Sequence, residues 1–297
     1  MLNEQQLHGI YVPVITPFSQ DYELDLISYQ RYVENLLTHD IQGLVINGTT
    51  GEAPTVTWEE VVRLTGETRR ILGKRQLPLV IGTGTNDTVS SVKRTEQAAL
   101  IGANAVLVVT PYYSRPSIEG IMEHFRQVSE VGIPVILYEV PSRTGIRLPV
   151  DAIRRIMDLP GVIGMKDSTS STELMKELSQ NRTKPVLCGD DIHFQEMLYH
   201  GASGGILASA NVNTEAYIRM YQLAAQGDYF RSELEFEVLI PCIQKLFAES
   251  NPAPLKWLLA KQGLISNDTL RLPMAPISEE LKLSFEKVLR NLFFHTR

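Results

Sequence analysis

Gly161-Val-Ile-Gly-Met-Lys166 is a short apolar run that ends on a lysine, and it decides how the rest of the chain reads. Its length and β-branched content fit a strand buried on both faces of a parallel sheet. An ammonium at the end of such a strand must be neutralised, paired or functional. Side chains alternate along a strand, so Val162, Gly164 and Lys166 are expected on one face and Ile163, Met165 and Asp167 on the other. Gly164 is then expected to leave room beside the lysine amine for a small carbonyl compound.

Seven similar runs lie at 10–16, 43–47, 79–83, 105–110, 135–138, 186–188 and 205–208, and they alternate with amphipathic stretches such as 26–37, 58–72, 118–131 and 173–178. With 162–166 they make about eight βα units, the number that closes a (β/α)8 TIM barrel. Thr57 followed by Glu60 reads as a capping box opening the second helical stretch. Beyond the eighth run the pattern is helix only, at 214–225, 229–247, 254–261 and 279–292. The chain therefore divides into a barrel over 1–228 and a C-terminal helical domain over 229–297. Polar and glycine-rich residues gather where the runs end, at Gly48-Thr-Thr-Gly-Glu52, Thr110-Pro-Tyr-Tyr113, Tyr138, Lys166, Gly189-Asp-Asp191 and Ser209. In a barrel those ends converge on one mouth, which is the active-site face.

A net charge of -6 argues against nucleic acid or an anionic membrane as the main partner. Cys188 and Cys242 are too few for a disulfide framework, which favours a reducing compartment. The N-terminus lacks a basic segment followed by an apolar one, and no apolar stretch is long enough to span a bilayer, so a soluble cytoplasmic protein is expected. The six histidines form no ligand set and Asp190-Asp191 alone is a poor cage, so no catalytic metal is expected.

Taken singly, the mouth residues leave alternatives open. Lys166 fits a Schiff-base nucleophile, an anion anchor or half of an ion pair; attack on a carbonyl needs the neutral amine, which an apolar lining favours. Gly48-Thr49-Thr50-Gly51-Glu52 fits either a connecting turn or a cradle of backbone N–H groups for a carboxylate or phosphate. Tyr138 fits a packed core residue or a proton carrier. Arg143, on the loop Pro141-Ser-Arg-Thr-Gly145, fits bidentate carboxylate recognition or a surface ion pair.

Those motifs, in their order, carry a resemblance. Gly48-Thr-Thr-Gly-Glu52, Thr110-Pro-Tyr-Tyr-Ser-Arg-Pro116, Tyr138-Glu-Val-Pro-Ser-Arg-Thr-Gly145, Gly164-Met-Lys-Asp167 and Cys188-Gly-Asp-Asp191 are followed in the tail by Asn251-Pro-Ala-Pro-Leu-Lys-Trp257 and Asp268-Thr-Leu-Arg-Leu-Pro-Met274. The chain so resembles the dihydrodipicolinate synthase family of pyruvate-dependent class I aldolases and lyases over essentially its whole length. Arg143 within Pro-Ser-Arg-Thr-Gly narrows the resemblance to 4-hydroxy-tetrahydrodipicolinate synthases, because sialic-acid lyases and keto-deoxy-sugar-acid aldolases usually carry other residues there. The resemblance implies cofactor-free condensation of pyruvate with L-aspartate 4-semialdehyde in lysine and diaminopimelate biosynthesis, through an imine and an enamine on Lys166. Thr49 and Thr50 would hold the pyruvate carboxylate, and Arg143 the carboxylate of the second substrate. Tyr138, Thr49 and Tyr113 would relay protons. Tyr113 would enter from a neighbouring subunit, implying a tight homodimer and commonly a dimer of dimers. Gly189 and Ile206 match positions lining the pyruvate pocket.

Three departures stand out against that resemblance. Glu139 replaces a common asparagine, and strand parity is expected to turn it away from Tyr138. Asp167 and Ser170 replace a glutamate and a glycine. Where lysine-inhibited members bind the amino acid, this chain has Ala53, Pro54, Trp58, Val61, Asn86, Ser90 and Tyr112. Only Asn86 and Tyr112 keep the inhibitor-binding type and Ser90 supplies no negative charge, so weak or absent lysine feedback is expected. The alternatives are a sialic-acid lyase or sugar-acid aldolase, which keep the imine and change the aldehyde, and a silent barrel that binds a keto acid without chemistry.

Overall fold

The computed structural model describes residues 1–294, with side chains as far as Lys287; the last three residues of the expected 229–297 tail lie outside the described residues. Eight parallel strands close into a barrel in chain order: β1 (Gly9–Pro13), β2 (Gly43–Ile46), β3 (Leu79–Gly82), β4 (Ala105–Val109), β5 (Val135–Glu139), β6 (Val162–Asp167), β7 (Val186–Cys188) and β8 (Gly204–Ile206), with β8 pairing back onto β1. The outer layer is α1 (Leu26–Leu36), α2 (Trp58–Leu72), α3 (Thr88–Leu100), α4 (Ile118–Ser129), the single turn α5 (Pro141–Thr144), α6 (Val150–Met157), α7 (Glu173–Ser179), α8 (Phe194–Tyr199) and α9 (Thr214–Ala225). The tail adds α10 (Tyr229–Leu246), α11 (Ala253–Lys261) and α12 (Glu279–Phe294).

The core has two parts. Tyr11, Val45, Val80, Leu107, Ile136 and Leu187 fill the barrel interior, while the other strand face packs on the helices. Phe236, Leu239, Ile243, Leu255 and Trp257 of the tail belong to that same strand–helix layer, so the tail's apolar face is continuous with the barrel's. Thr57 and Glu60 do cap α2 reciprocally: Glu60 N donates to Thr57 Oγ1 (3.3 Å) and Thr57 N to Glu60 Oε2 (2.9 Å).

Three local expectations are corrected. The first strand stops at Pro13, well short of Thr16, because proline brings no N–H to the ladder. Thr16 instead donates its hydroxyl to the Gly51 carbonyl (2.7 Å). The last strand ends at Ile206, since Ala208–Asn211 winds into a 3-10 turn whose Ser209 N–H is taken by Asp191 (2.6 Å).

The third correction concerns parity within β6. Val135 pairs with Val162 but Ile136 pairs with Gly164, so Ile163 is an extra residue in the ladder. This bulge breaks strict alternation: Val162 packs on the helix side with Met165, and Ile163 packs in the interior. Nor does Gly164 make room for the amine. A Cβ there would sit 2.5 Å from the Pro185 carbonyl and 2.7 Å from Leu7, so this glycine lets backbone and Leu7 close the barrel floor. Beyond the bulge alternation resumes, with Lys166 beside Tyr138 and Asp167 beside Glu139.

Candidate active site at the barrel mouth

Lys166, next to last in β6, is 7% exposed, and its Nζ lies 4.3 Å from the centre of the Tyr138 ring on neighbouring β5. Among the described residues it makes no ion pair, which removes the pairing reading left open above. Its stem is packed by Gly189, just after β7. A Cβ at Gly189 would stand 2.3 Å from Lys166 Cε and 2.3 Å from Ser168 Oγ, so any side chain there must push both aside. The space the sequence reading assigned to Gly164 is made by Gly189.

Above the lysine opens a cavity of about 410 Å³, lined on the barrel side by Thr49, Thr50, Tyr138, Lys166, Gly189 and Ile206. Arg143 reaches it from α5, which is a helical turn and not the loop expected; Gly145 closes that turn at φ 74°. The tail contributes Ile243, Gln244, Phe247 and Asn251 to the same wall.

Thr49 and Thr50 belong to a 3-10 turn, Thr49–Gly51, after β2. The N–H groups of Gly51 and Glu52 close that turn on the Gly48 and Thr49 carbonyls, while those of Thr49 and Thr50 make no bond within it. Such a pair of unspent donors suits an anion. Asn251 Nδ2 donates to Thr50 Oγ1 (3.1 Å).

Burial pushes the Tyr138 hydroxyl up, but the Lys166 charge, the nearby Thr49 and Ser168 hydroxyls and Arg143 outweigh it, and the phenol settles below its usual range. A phenol tuned that way can give and take a proton near neutrality more readily than free tyrosine. Asp191 is held by Ser209, whose N–H and hydroxyl both donate to Oδ2; burial pushes this carboxyl up to about 6, against the pull of Ser209 and Lys166.

The remaining expected residues lie elsewhere. Tyr113 is 90% exposed, at φ 69°, and does not reach the cavity of its own chain. Of the positions matched to lysine regulation, Ala53, Pro54, Trp58, Asn86, Ser90 and Tyr112 are partly or well exposed outside the cavity. Val61, on the inner face of α2, is fully buried in the core. Glu139 does turn from Tyr138, accepting from Thr110 Oγ1 (2.7 Å) and Leu148 N (2.9 Å), and burial raises its pKa. Asp167 likewise points outward, with Oδ1 on Thr169 N (2.9 Å) and no ion pair to Lys166. No group of His, Cys, Asp or Glu among the described residues is arranged to hold a metal ion.

Sequence reasoning missed Ser168 and Asn251 as cavity residues, and placed Asp191 at the mouth without giving it a role. Parity from Lys166 would have found Ser168, two residues on. Nothing local marks Asn251, which comes 201 residues after Thr50.

The family model described as "Dihydrodipicolinate synthetase family" matches residues 6–292. The 4-hydroxy-tetrahydrodipicolinate synthase 2 of Clostridium acetobutylicum is 36% identical over 293 residues, covering 96% of this chain and 100% of that one. The 4-hydroxy-tetrahydrodipicolinate synthase of Thiobacillus denitrificans is 38% identical, covering 91% and 92%. Among solved structures, dihydrodipicolinate synthase from Thermotoga maritima superposes with a TM-score of 0.92 at 34% identity, covering 96% and 98%. The chloride-inhibited synthase from Acinetobacter baumannii, complexed with pyruvate, gives the same TM-score, identity and coverage.

Proposed function

The chain belongs to the dihydrodipicolinate synthetase family and acts as a 4-hydroxy-tetrahydrodipicolinate synthase, a lyase, and from that premise we propose that Lys166 is its Schiff-base nucleophile. One observation carries the reading: a buried lysine with no ion pair among the described residues, set against a tyrosine whose pKa it helps to lower. The free-base amine of Lys166 adds to the keto carbon of pyruvate and, with a proton delivered through Tyr138, water leaves to give a protonated imine. That cation withdraws electrons as a bare ketone cannot, so a methyl proton is lost and an enamine forms. The enamine carbon attacks the aldehyde of L-aspartate 4-semialdehyde, and the substrate's own amine then displaces Lys166 and closes the ring. Tyr138, with Thr49 beside it, holds and returns the protons. The unspent N–H groups of Thr49 and Thr50 take the pyruvate carboxylate, Arg143 at the rim takes that of the second substrate, and Gly189 and Ile206 shape the floor.

The 90% exposure of Tyr113 supports its service to a second copy of the chain rather than its own, which makes a dimer the smallest complete enzyme. One structural relative, 34% identical with a TM-score of 0.92, is described as a monomeric variant, so association is a variable property among such folds. The cytoplasm fits two free cysteines, one of them buried, and the described residues include no helix long and apolar enough to cross a membrane.

The test is borohydride reduction in the presence of pyruvate, followed by peptide mass mapping, alongside a coupled assay with both substrates. An adduct on Lys166, absent from Lys166→Ala, is expected. Synthase turnover retained by Lys166→Ala overturns the proposal.

A further inference from the structure

The turn that carries Thr49 and Thr50 is fastened by both the barrel and the tail. From the barrel it receives the Thr16 hydroxyl on the Gly51 carbonyl. From the tail, three residues reach the turn or Glu52, which caps it, two of them through side chains and one through its backbone. Asn251 donates to Thr50 Oγ1 (3.1 Å). Lys256, on α11, donates to Glu52 Oε1 and to the Thr269 carbonyl (2.7 Å), with both charged side chains at 1% exposure or less. Arg271 donates its backbone N–H to Glu52 Oε2 (3.2 Å), and its guanidinium grips Glu60 through two bonds of 2.6 Å and the Thr55 carbonyl at 2.8 Å. The Phe18 ring centre lies 4.2 Å from Lys256 Nζ and 4.2 Å from Arg271 Cζ.

Glu52 also sits in the left-handed region, at φ 56°, a conformation a glutamate keeps only where its surroundings over-determine it. Two buried charges so closely engaged leave little freedom to the backbone that bears them. Glu52 caps the turn Thr49–Gly51, so the bonds that fix it bear on the backbone carrying those donors.

We propose that Lys256 and Asn251 are positioning residues for the keto-acid site, and that the helical tail, through Glu52 and Thr50, sets the aim of the turn that binds the substrate carboxylate. The proposal rests on the reading of Thr49 and Thr50 as that carboxylate's donors. Its chemistry is specific: the tail governs affinity for the keto acid, while the reactivity of the Lys166 amine and recognition of the aldehyde lie on other elements.

The experiment compares wild type, Lys256→Met and Asn251→Ala, reading the pyruvate concentration that half-saturates borohydride trapping of Lys166, together with the KM for aspartate semialdehyde and the melting temperature. Lys256→Met is expected to raise the pyruvate half-saturation about tenfold and Asn251→Ala about threefold, with the trapping yield at saturation and the aldehyde KM within about twofold of wild type. Lys256→Met lowers the melting temperature on either reading; a purely structural role would also lower the trapping yield and would leave half-saturation where it was. If Lys256→Met does not fold, Glu52→Gln/Lys256→Met, which leaves no lone buried charge, is measured in its place with the same expected shift. Wild-type half-saturation in the two tail variants overturns the positioning role. Failure of the wild type itself to trap pyruvate instead defeats the imine reading on which the role rests.

Discussion

Two lysines in this molecule are buried to nearly the same degree and used in opposite ways. Lys166, at 7% exposure, meets a tyrosine ring, a glycine and an open cavity, whereas Lys256, fully buried, meets Glu52, the Thr269 carbonyl and a phenylalanine ring. Burial alone therefore does not mark a nucleophile. A carboxylate in contact commits the amine to structure, and its absence beside a cavity leaves the amine free for the chemistry proposed for Lys166. Burial pushes the Lys256 ammonium down to about 8, with Glu52 resisting that fall.

The sharpest way to break this contrast is to remove each lysine in turn. Lys166→Ala is expected to lower synthase turnover by more than about a thousandfold, with urea unfolding within about 1 kcal/mol of wild type, because no ion pair is lost. Lys256→Met should do the reverse in stability, losing about 3–5 kcal/mol as Glu52 is stranded, and most of that should return in Glu52→Gln/Lys256→Met. If the two single variants proved equally unstable, the distinction would fail.

A smaller intervention crowds Lys166 without removing it. Gly189→Ala places a methyl group 2.3 Å from Lys166 Cε, so kcat/KM should fall about 10- to 100-fold and stability by about 1–3 kcal/mol; near-normal kinetics would mean that the stem has other room. Asp191 tests the site's other buried charge. Its folded-state pKa is raised to about 6 from 3.8, so the folded protein binds this proton more tightly than the unfolded chain, and stability from this group falls as pH rises between those values. Asp191→Asn removes that dependence. Its stability relative to wild type should rise by about 1–3 kcal/mol between pH 4 and 6 and stay level above, and a flat difference across that window would refute the sign. The smallest effect concerns regulation. With Val61 in the core and no acidic group at Ser90, 1 mM lysine should inhibit less than about twofold, an expectation that half-inhibition below that concentration would defeat.

Much of this architecture was legible because short-range physics wrote it. The eight apolar runs lie where the strands are, and Lys166 and Tyr138 follow from their strand-end positions. The rest depends on contacts that leave no local trace. Helix α3 buries chiefly Ser91, Thr95 and Ala98, so it lacks the apolar stripe that announces a helix. The bulge at Ile163 cannot be seen in one strand, since it is a mismatch between two. Glu52 and Lys256 are 204 residues apart, and neither position looks unusual until the fold joins them.

Closure of β8 onto β1 has one more effect. Every strand is paired on both sides, so another molecule cannot attach by lengthening the sheet. Whatever joins this barrel must meet helices and loops, whose side chains can change between lineages without disturbing a single rung of the ladder that holds Lys166 in place.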